Sequence, residues 1–191
     1  MCIRDSLYIC YDNEAYMNTG VQRSSATPPT ARTATTPVLG PEPGNVFGTG
    51  KSVPKIAVAH NIPYVATATV ADLHDLERKV TKAMSIHGAR YIQINVPCPL
   101  GWGSASHDTI KLAQLAVECG LYPIFEAEHG KVTQARKIRR QVPVQDYLKL
   151  QRRFPHLFKG GHEDPRIARL QAICDANIAE YGLVDLTGKD G

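Results

Sequence analysis

Short apolar blocks along the chain predict buried β-strands. Three blocks are rich in β-branched or aromatic residues, as interior strands usually are, and they span residues 7–12, 64–69 and 89–96. A fourth block, residues 121–126, contains Pro123, and this favours a short strand or an extended segment at a sheet edge. The segments between these blocks have an apolar periodicity that differs from that of strands.

Apolar residues repeat every three to four positions between these blocks, and this spacing predicts amphipathic helices. The strongest patterns span residues 72–87 and 106–119, and a glycine follows each. Weaker patterns cover 53–60, 144–153 and 165–181. Alternating strands and helices favour an α/β fold with a parallel sheet and helices on its faces. We assign residues 7–130 to this domain and residues 131–191 to a C-terminal helical extension.

Residues 26–63 interrupt the alternation. They contain seven prolines and four glycines, so they cannot form one regular element, and ordered loops of this length often carry function. Gly48–Ser52 is similar to the end of a phosphate-binding P-loop. However, Asn45 occupies the position of the first P-loop glycine, and no strand is predicted directly before it. We therefore reject a P-loop.

Composition and charge exclude several classes of protein. The chain has 191 residues, of which 43% are apolar and 21% are charged, as is usual for one globular domain. The net charge of +4 is too small to indicate nucleic-acid binding, and no window is apolar enough to span a bilayer. The five cysteines, at 2, 10, 98, 119 and 174, form no Cys-x-x-Cys pair. We therefore expect reduced thiols and a cytoplasmic protein, with Cys119 and Cys174 in the core.

The most informative segment follows the first predicted strand. Residues 11–22 form a polar stretch at the carboxyl end of that strand, where open α/β sheets bind ligands. Asn13 and nearby carbonyl groups offer the oxygen donors that Mg²⁺ prefers. Taken alone, the residues favour a structural turn rich in Asn and Gly over a ligand site. Residues 11–28, however, closely resemble the second half of the thiamine-diphosphate motif of 2-oxoacid:ferredoxin oxidoreductases.

This resemblance implies roles for three residues. Asn13 would bind Mg²⁺ through its side chain and Ala15 through its main-chain carbonyl, with the metal bridging the cofactor's diphosphate. Asn18 would face the thiazolium ring and the substrate. The first half of the family motif, Gly-Asp-Gly, is absent upstream of this segment. We therefore expect the chain to be the C-terminal part of a thiamine-diphosphate-binding β subunit, with weak cofactor binding on its own.

Cys98 lies between two prolines in residues 97–104, a stiff loop after a predicted strand. One thiol cannot hold an iron–sulfur cluster, which normally needs four ligands, and from composition alone Cys98 is an incidental loop cysteine. The run Pro-Cys-Pro-Leu-Gly-Trp is similar to the family segment whose cysteine is the fourth ligand of the [4Fe–4S] cluster nearest the thiamine. The resemblance assigns Cys98 that role and places the other three ligands in an N-terminal region.

Within this family, the resemblance implies oxidative decarboxylation of a 2-oxoacid. The acid, coenzyme A and oxidised ferredoxin give acyl-CoA, carbon dioxide and reduced ferredoxin, and the partners are α-, γ- and δ-type subunits and ferredoxin. We expect pyruvate as substrate; 2-ketoisovalerate, phenylglyoxylate and oxalate are alternatives, and residues 45–51 are a candidate for the choice. Two other classes stay open: a non-redox thiamine decarboxylase or carboligase, and a structural fragment without catalysis.

Two weaker signals favour surface roles. The seven histidines show no spacing typical of metal sites, so we expect them at the surface or at helix ends. Residues 131–140 form a basic run, and Arg152, Arg153 and Lys159 follow it; such a set of charges is usually a solvated face. An acidic ferredoxin or another subunit is a candidate partner for that face.

Overall fold

The computed structural model of the protein describes residues 5–159 and 164–185. The strands within these ranges are β1 (Ser6–Asp12), β2 (Ala15–Tyr16), β3 (Gln22–Arg23), β4 (Tyr64–Thr69), β5 (Ala89–Asn95), β6 (Phe125–Glu128) and β7 (Lys131–Ala135). The helices are α1 (Val53–Ala59), α2 (Leu73–Met84), α3 (Pro99–Trp102), α4 (Thr109–Glu118), α5 (Val144–Lys149) and α6 (Pro165–Tyr181). The α/β fold is as expected.

Five strands form one sheet in the order β1-β5-β4-β6-β7. β1, β5 and β4 are parallel, and Asn95 lies opposite both Asp12 and Thr69. Because parallel strands end at the same edge, the carboxyl ends of all three meet there. The expected parallel sheet is therefore present, and β6 and β7 extend it at one edge as strands antiparallel to their neighbours.

A tight hairpin explains the antiparallel pairing of β6 and β7. β6 begins at Phe125, four residues later than the predicted block, and only His129 and Gly130 separate it from β7. Both have positive φ angles, of 47° and 79°, as the central residues of a type I′ turn require. The sheet therefore continues past residue 130, where we placed the domain boundary, and that boundary stays a prediction.

The helices begin and end close to where the periodicity places them, with three differences. α4 is preceded by a 3₁₀ turn at Ser106–Asp108, and α5 ends at Lys149 rather than at residue 153. α3 lies inside the segment predicted to be a loop. α6 has its predicted bounds. Among the described residues, no helix is both long and apolar enough to cross a membrane.

The core has three parts. β4 is buried along its whole length, because α2 covers one face of the sheet and α1 covers the other. A third cluster joins α3, α4, α5 and α6, and its largest side chains are Trp102, Leu112, Tyr147, Phe154 and Leu170. Cys119 and Cys174 are buried in it, as predicted. This cluster fixes the position of the C-terminal segment relative to the sheet edge.

One histidine departs from the surface role expected of all seven. His156 is buried, and neither ring nitrogen has a hydrogen-bond partner among the described residues. It lies in the 3₁₀ turn Pro155–Phe158, which packs against the third core cluster. The histidines at 60, 74, 87, 107 and 129 are exposed, and His162 lies outside the described residues.

Candidate functional site

The chain makes a sharp, well-held turn directly after β1. The Oδ1 atom of Asp12 accepts a hydrogen bond of 2.9 Å from the main-chain N–H of Glu14. Glu14 has a φ of 64°, in the left-handed region, and the hydroxyl of Thr27 donates to its carbonyl at 2.6 Å. The side chain of Asn13 is half-buried and forms no hydrogen bond with any described residue. Its amide is therefore available to a ligand.

Two buried side chains hold this turn, one from the end of α3 and one from the segment after α5. The indole Nε1 of Trp102 donates to the carbonyl of Asn13 at 2.9 Å. The guanidinium of Arg153 donates to Oε2 of Glu14 at 2.7 Å and stacks on Trp102, 3.9 Å from the ring centroid. The turn is thus fixed through a main-chain carbonyl and through a side-chain carboxylate.

The carboxyl groups of the turn are electrostatically perturbed. Burial raises the pKa of Glu14 to about 7, and repulsion from Asp12 adds to this, while Arg153 opposes it. Burial also raises the pKa of Asp12, against the hydrogen bonds that it accepts from the Glu14 amide and from Gln93. A divalent cation beside the turn would favour the ionised form of both groups.

Asn18 lies at the exposed tip of the next turn. The N–H groups of Gly20 and Val21 both donate to the carbonyl of Met17 at 3.3 Å. The strands on either side, β2 and β3, pair in antiparallel fashion and form the base of this turn, with Ala15 opposite Arg23. Asn18 makes no hydrogen bond with the described residues, so its side chain is free to contact a ligand.

Cys98 lies beside this region. It is the N-cap residue of α3, and its Sγ accepts from the N–H of Gly101 at 3.5 Å. Gly101 also faces Met17, because a Cβ at Gly101 would collide with the Met17 sulfur. The Cys98 loop therefore packs against the segment that carries Asn18, and Trp102, at the end of α3, reaches Asn13. The two regions singled out from the sequence are neighbours.

A cleft of about 640 Å³ opens on the face of the sheet next to this turn. Asp12, Gln93 and Tyr122 are among the residues that line it, as are Lys51 and Lys55. Gln93 donates to Oδ2 of Asp12 at 2.6 Å, so the cleft and the turn share a hydrogen-bonded carboxylate. Most of the cleft's lining is apolar, and its charged side chains are both acidic and basic, with Lys55 paired to Glu180 at 2.6 Å.

Several known proteins are similar to this chain. Pyruvate synthase subunit PorB of Methanosarcina barkeri is 49% identical over 181 residues, which are 94% of this chain and 60% of that subunit. PorB of Methanocaldococcus jannaschii is 45% identical over 94% of this chain and 58% of its own length. Ketoisovalerate oxidoreductase subunit VorB of Pyrococcus abyssi is 46% identical over 81% of this chain and 50% of its own length.

The chain is homologous to the PorB and VorB subunits. It spans between half and about 60% of the length of these relatives. No family model matches it. A solved chain of 2-oxoglutarate:ferredoxin oxidoreductase from Magnetococcus marinus is 28% identical, with a TM-score of 0.42, and the match covers 49% of this chain and 30% of that one.

The donor set of the turn fits the Mg²⁺–diphosphate group that the resemblance to 2-oxoacid:ferredoxin oxidoreductases implies. Asn13 offers an unpartnered amide oxygen, Ala15 offers a main-chain carbonyl, and both are hard oxygen donors of the kind that Mg²⁺ binds. The carboxyl group of Asp12 lies next to them, and that of Glu14 is paired with Arg153. The assignment of Asn13, Ala15 and Asn18 to the cofactor stays a prediction that this geometry supports.

Cys98 fits a single position in a cluster. The amide N–H directed at its sulfur is the kind of hydrogen bond that tunes cluster-ligating thiolates. Within residues 5–159 and 164–185, no three His, Cys, Asp or Glu side chains form a group able to hold a metal ion. A cluster at Cys98 would therefore take its other ligands from outside the described residues.

The residues that hold the turn were not found from the sequence. Glu14, Trp102 and Arg153 are far apart in the sequence and match no spacing rule. The solvated face expected for Arg153 is wrong, because its side chain is buried against Glu14 and Trp102. Asn95, at the end of β5, was also missed. It is fully buried, and neither polar atom of its side chain has a partner among the described residues.

Proposed function

We propose that the chain is part of the thiamine-diphosphate-binding subunit of a pyruvate:ferredoxin oxidoreductase. The observation that carries this proposal is the 2.9 Å hydrogen bond from Trp102 to the carbonyl of Asn13. This bond brings the candidate cofactor turn and the Cys98 loop together. An enzyme that removes electrons from its substrate at the thiamine needs the electron acceptor to be close to the cofactor. The similarity to PorB subunits supports the same reaction.

The turn would hold the cofactor through its metal. In this proposal the side chain of Asn13 and the carbonyl of Ala15 bind Mg²⁺, which in turn binds the diphosphate. Asn18, at the exposed tip of the following turn, would face the thiazolium ring and the substrate. Thiamine diphosphate, when bound, supplies the nucleophilic carbon that attacks the keto group and stabilises the charge left by decarboxylation.

Cys98 would contribute one thiolate to a [4Fe–4S] cluster that accepts electrons next to the cofactor. The remaining ligands, and the glutamate that activates the cofactor, would come from other parts of the complex. We therefore propose that activity requires α-, γ- and δ-type subunits, coenzyme A and ferredoxin. The neighbouring positions of the Cys98 loop and the Asn13 turn support short-range electron transfer.

Substitution of Asn13 in the assembled complex tests the proposal. Asn13→Leu removes a metal ligand, so thiamine diphosphate should no longer bind measurably by calorimetry in the presence of Mg²⁺. Asn13→Asp keeps an oxygen donor of the same size and should retain binding. If the leucine variant binds the cofactor with wild-type affinity, the turn is not the metal site and the proposed function fails.

A second candidate is the same reaction with 2-ketoisovalerate. The similarity to VorB, at 46% identity, is close to that to PorB, so overall identity does not separate the two substrates. The ratio of kcat/KM for pyruvate to that for 2-ketoisovalerate decides between them. A ratio well above one supports pyruvate, and a ratio well below one replaces it with the branched-chain acid.

A further inference from the structure

Arg153 is unusual because it is a fully charged group with almost no access to solvent. Its guanidinium donates to Glu14, to Oε1 of Gln151 and, at 3.3 Å, to the hydroxyl of Tyr147. One face of the guanidinium lies on the ring of Trp102. The guanidinium of Arg153 thus connects the turn, through Glu14, to the buried residues Gln151 and Tyr147 of its own segment.

Stability alone does not account for this arrangement. Burying an ion pair costs desolvation, and an apolar pair of the same size is commonly as stable or more so. The pair joins residues that are 139 positions apart, one in the turn after β1 and the other in the segment that follows α5. In some proteins a buried ion pair of this kind selects one conformation of the chain.

The conformation that it fixes is strained. Glu14 has a φ of 64°, and a residue with a side chain adopts such an angle only where its surroundings impose it. Four contacts do so. Arg153 holds the carboxylate, Thr27 holds the carbonyl, and Asp12 accepts from the main-chain N–H. Trp102 holds the carbonyl of the preceding Asn13. Asn13 and Ala15, the two candidate metal ligands, flank this strained residue directly.

We propose that Arg153 is a positioning residue, which acts through Glu14 and Trp102 to hold the Asn13–Ala15 turn in its Mg²⁺-binding conformation. This inference rests on the proposed function, because it assumes that the turn binds the metal. The buried ion pair then keeps the two oxygen donors of Asn13 and Ala15 at a fixed separation in the metal-free protein. Pre-organisation of this kind is known to raise metal affinity about 10- to 100-fold.

The test compares two adjacent arginines in the assembled complex. Arg153→Leu and Arg153→Lys change the buried residue, and Arg152→Leu makes the same change of charge at an exposed neighbour. The Kd for Mg²⁺, measured by calorimetry at saturating thiamine diphosphate, should rise about 10- to 100-fold in the Arg153 variants. It should not change in Arg152→Leu. Excess Mg²⁺ should restore kcat, which it would not do if the residue served only folding.

Trp102→Phe keeps the test valid if Arg153→Leu does not assemble. Phenylalanine retains a ring for Arg153 to stack on but cannot donate to Asn13, so the Kd for Mg²⁺ should rise by a smaller factor than in Arg153→Lys. Wild-type Mg²⁺ affinity in both Arg153→Lys and Trp102→Phe would overturn the inference. If Asn13→Leu still abolishes cofactor binding, the proposed function survives that result; if it does not, the proposed function fails as well.

Discussion

Glu126 offers a quantitative test of how the sheet is held together. Its carboxylate is 1% exposed and accepts hydrogen bonds from Arg78 at 2.6 Å, from Lys82 at 2.9 Å and from the hydroxyl of Tyr64 at 2.9 Å. Burial alone would raise the pKa of Glu126, but these donors outweigh it and lower the pKa to about 2. The network joins β4, α2 and β6, so it anchors the antiparallel strand to the parallel part of the sheet.

The expected cost of Glu126→Gln follows from this pKa. A fall from 4.5 to about 2 corresponds to about 3 kcal/mol at neutral pH, at about 1.4 kcal/mol per pKa unit. This is an upper limit, because Arg78 and Lys82 are 47% and 34% exposed and regain water in the variant. Since glutamine can still accept from Tyr64, we expect a loss of about 2 kcal/mol.

The sign of the pH dependence is fixed by the direction of the shift. Because the pKa is lower in the folded state, the stabilisation is complete above pH 4.5 and is lost as the pH falls from 4.5 towards 2. Urea unfolding of the wild type and Glu126→Gln between pH 7 and pH 3 should show a constant difference in the free energy of unfolding down to about pH 4.5. Below that pH the difference should shrink. Glu128→Gln is the control, since Glu128 is 38% exposed and its ion pair with Lys82 should contribute under about 1 kcal/mol. Equal costs for the two variants at pH 7 would refute the reasoning.

Three further substitutions probe the core and the candidate site. Leu170→Ala should cost about 2–5 kcal/mol in chemical denaturation, because the side chain is fully buried between helices, and a cost under 1 kcal/mol would show that the site collapses easily. Gly101→Ala should cost about 1–3 kcal/mol in thermal unfolding, since the new methyl group displaces the Met17 sulfur, and an unchanged Tm would contradict that contact. Cys98→Ser in the complex should remove one iron–sulfur signal from electron paramagnetic resonance while thiamine diphosphate still binds; an intact signal would end the assignment of Cys98.

The parallel part of the fold follows from the sequence because its signals are local. Tyr64–Thr69 and Ala89–Asn95 are apolar blocks, and α6 has both its apolar spacing and its capping residue, Asp164, within one segment. β7 was missed because its exposed strand is polar and lacks the apolar alternation that marks a half-buried strand. The turn at His129 and Gly130 was the available signal, but His-Gly is a weaker hairpin marker than Asn-Gly.

In the candidate site, too, only the residues with local sequence signals could be predicted. Asn13, Ala15, Asn18 and Cys98 were singled out because they stand in contiguous runs that resemble known motifs. Their proximity in space follows from β1 and β5 being parallel neighbours, so that the segments after both strands begin at one edge. Nothing local could have given the supporting residues, because their partners lie far apart in the sequence.

Arg153 shows why this limit is physical. The helical pattern over residues 144–153 predicts a longer α5 with Arg153 on a solvated face, whereas α5 ends at Lys149 and the chain turns inward. Two groups hold Arg153 in this buried position. The buried carboxylate of Glu14 needs a compensating positive charge. The indole of Trp102 offers a ring on which the guanidinium stacks. The position of a buried cation depends on groups that are distant in the sequence, so its own segment does not reveal it. The segment that carries it is thereby part of the candidate cofactor site, even though every residue proposed to touch the cofactor lies elsewhere.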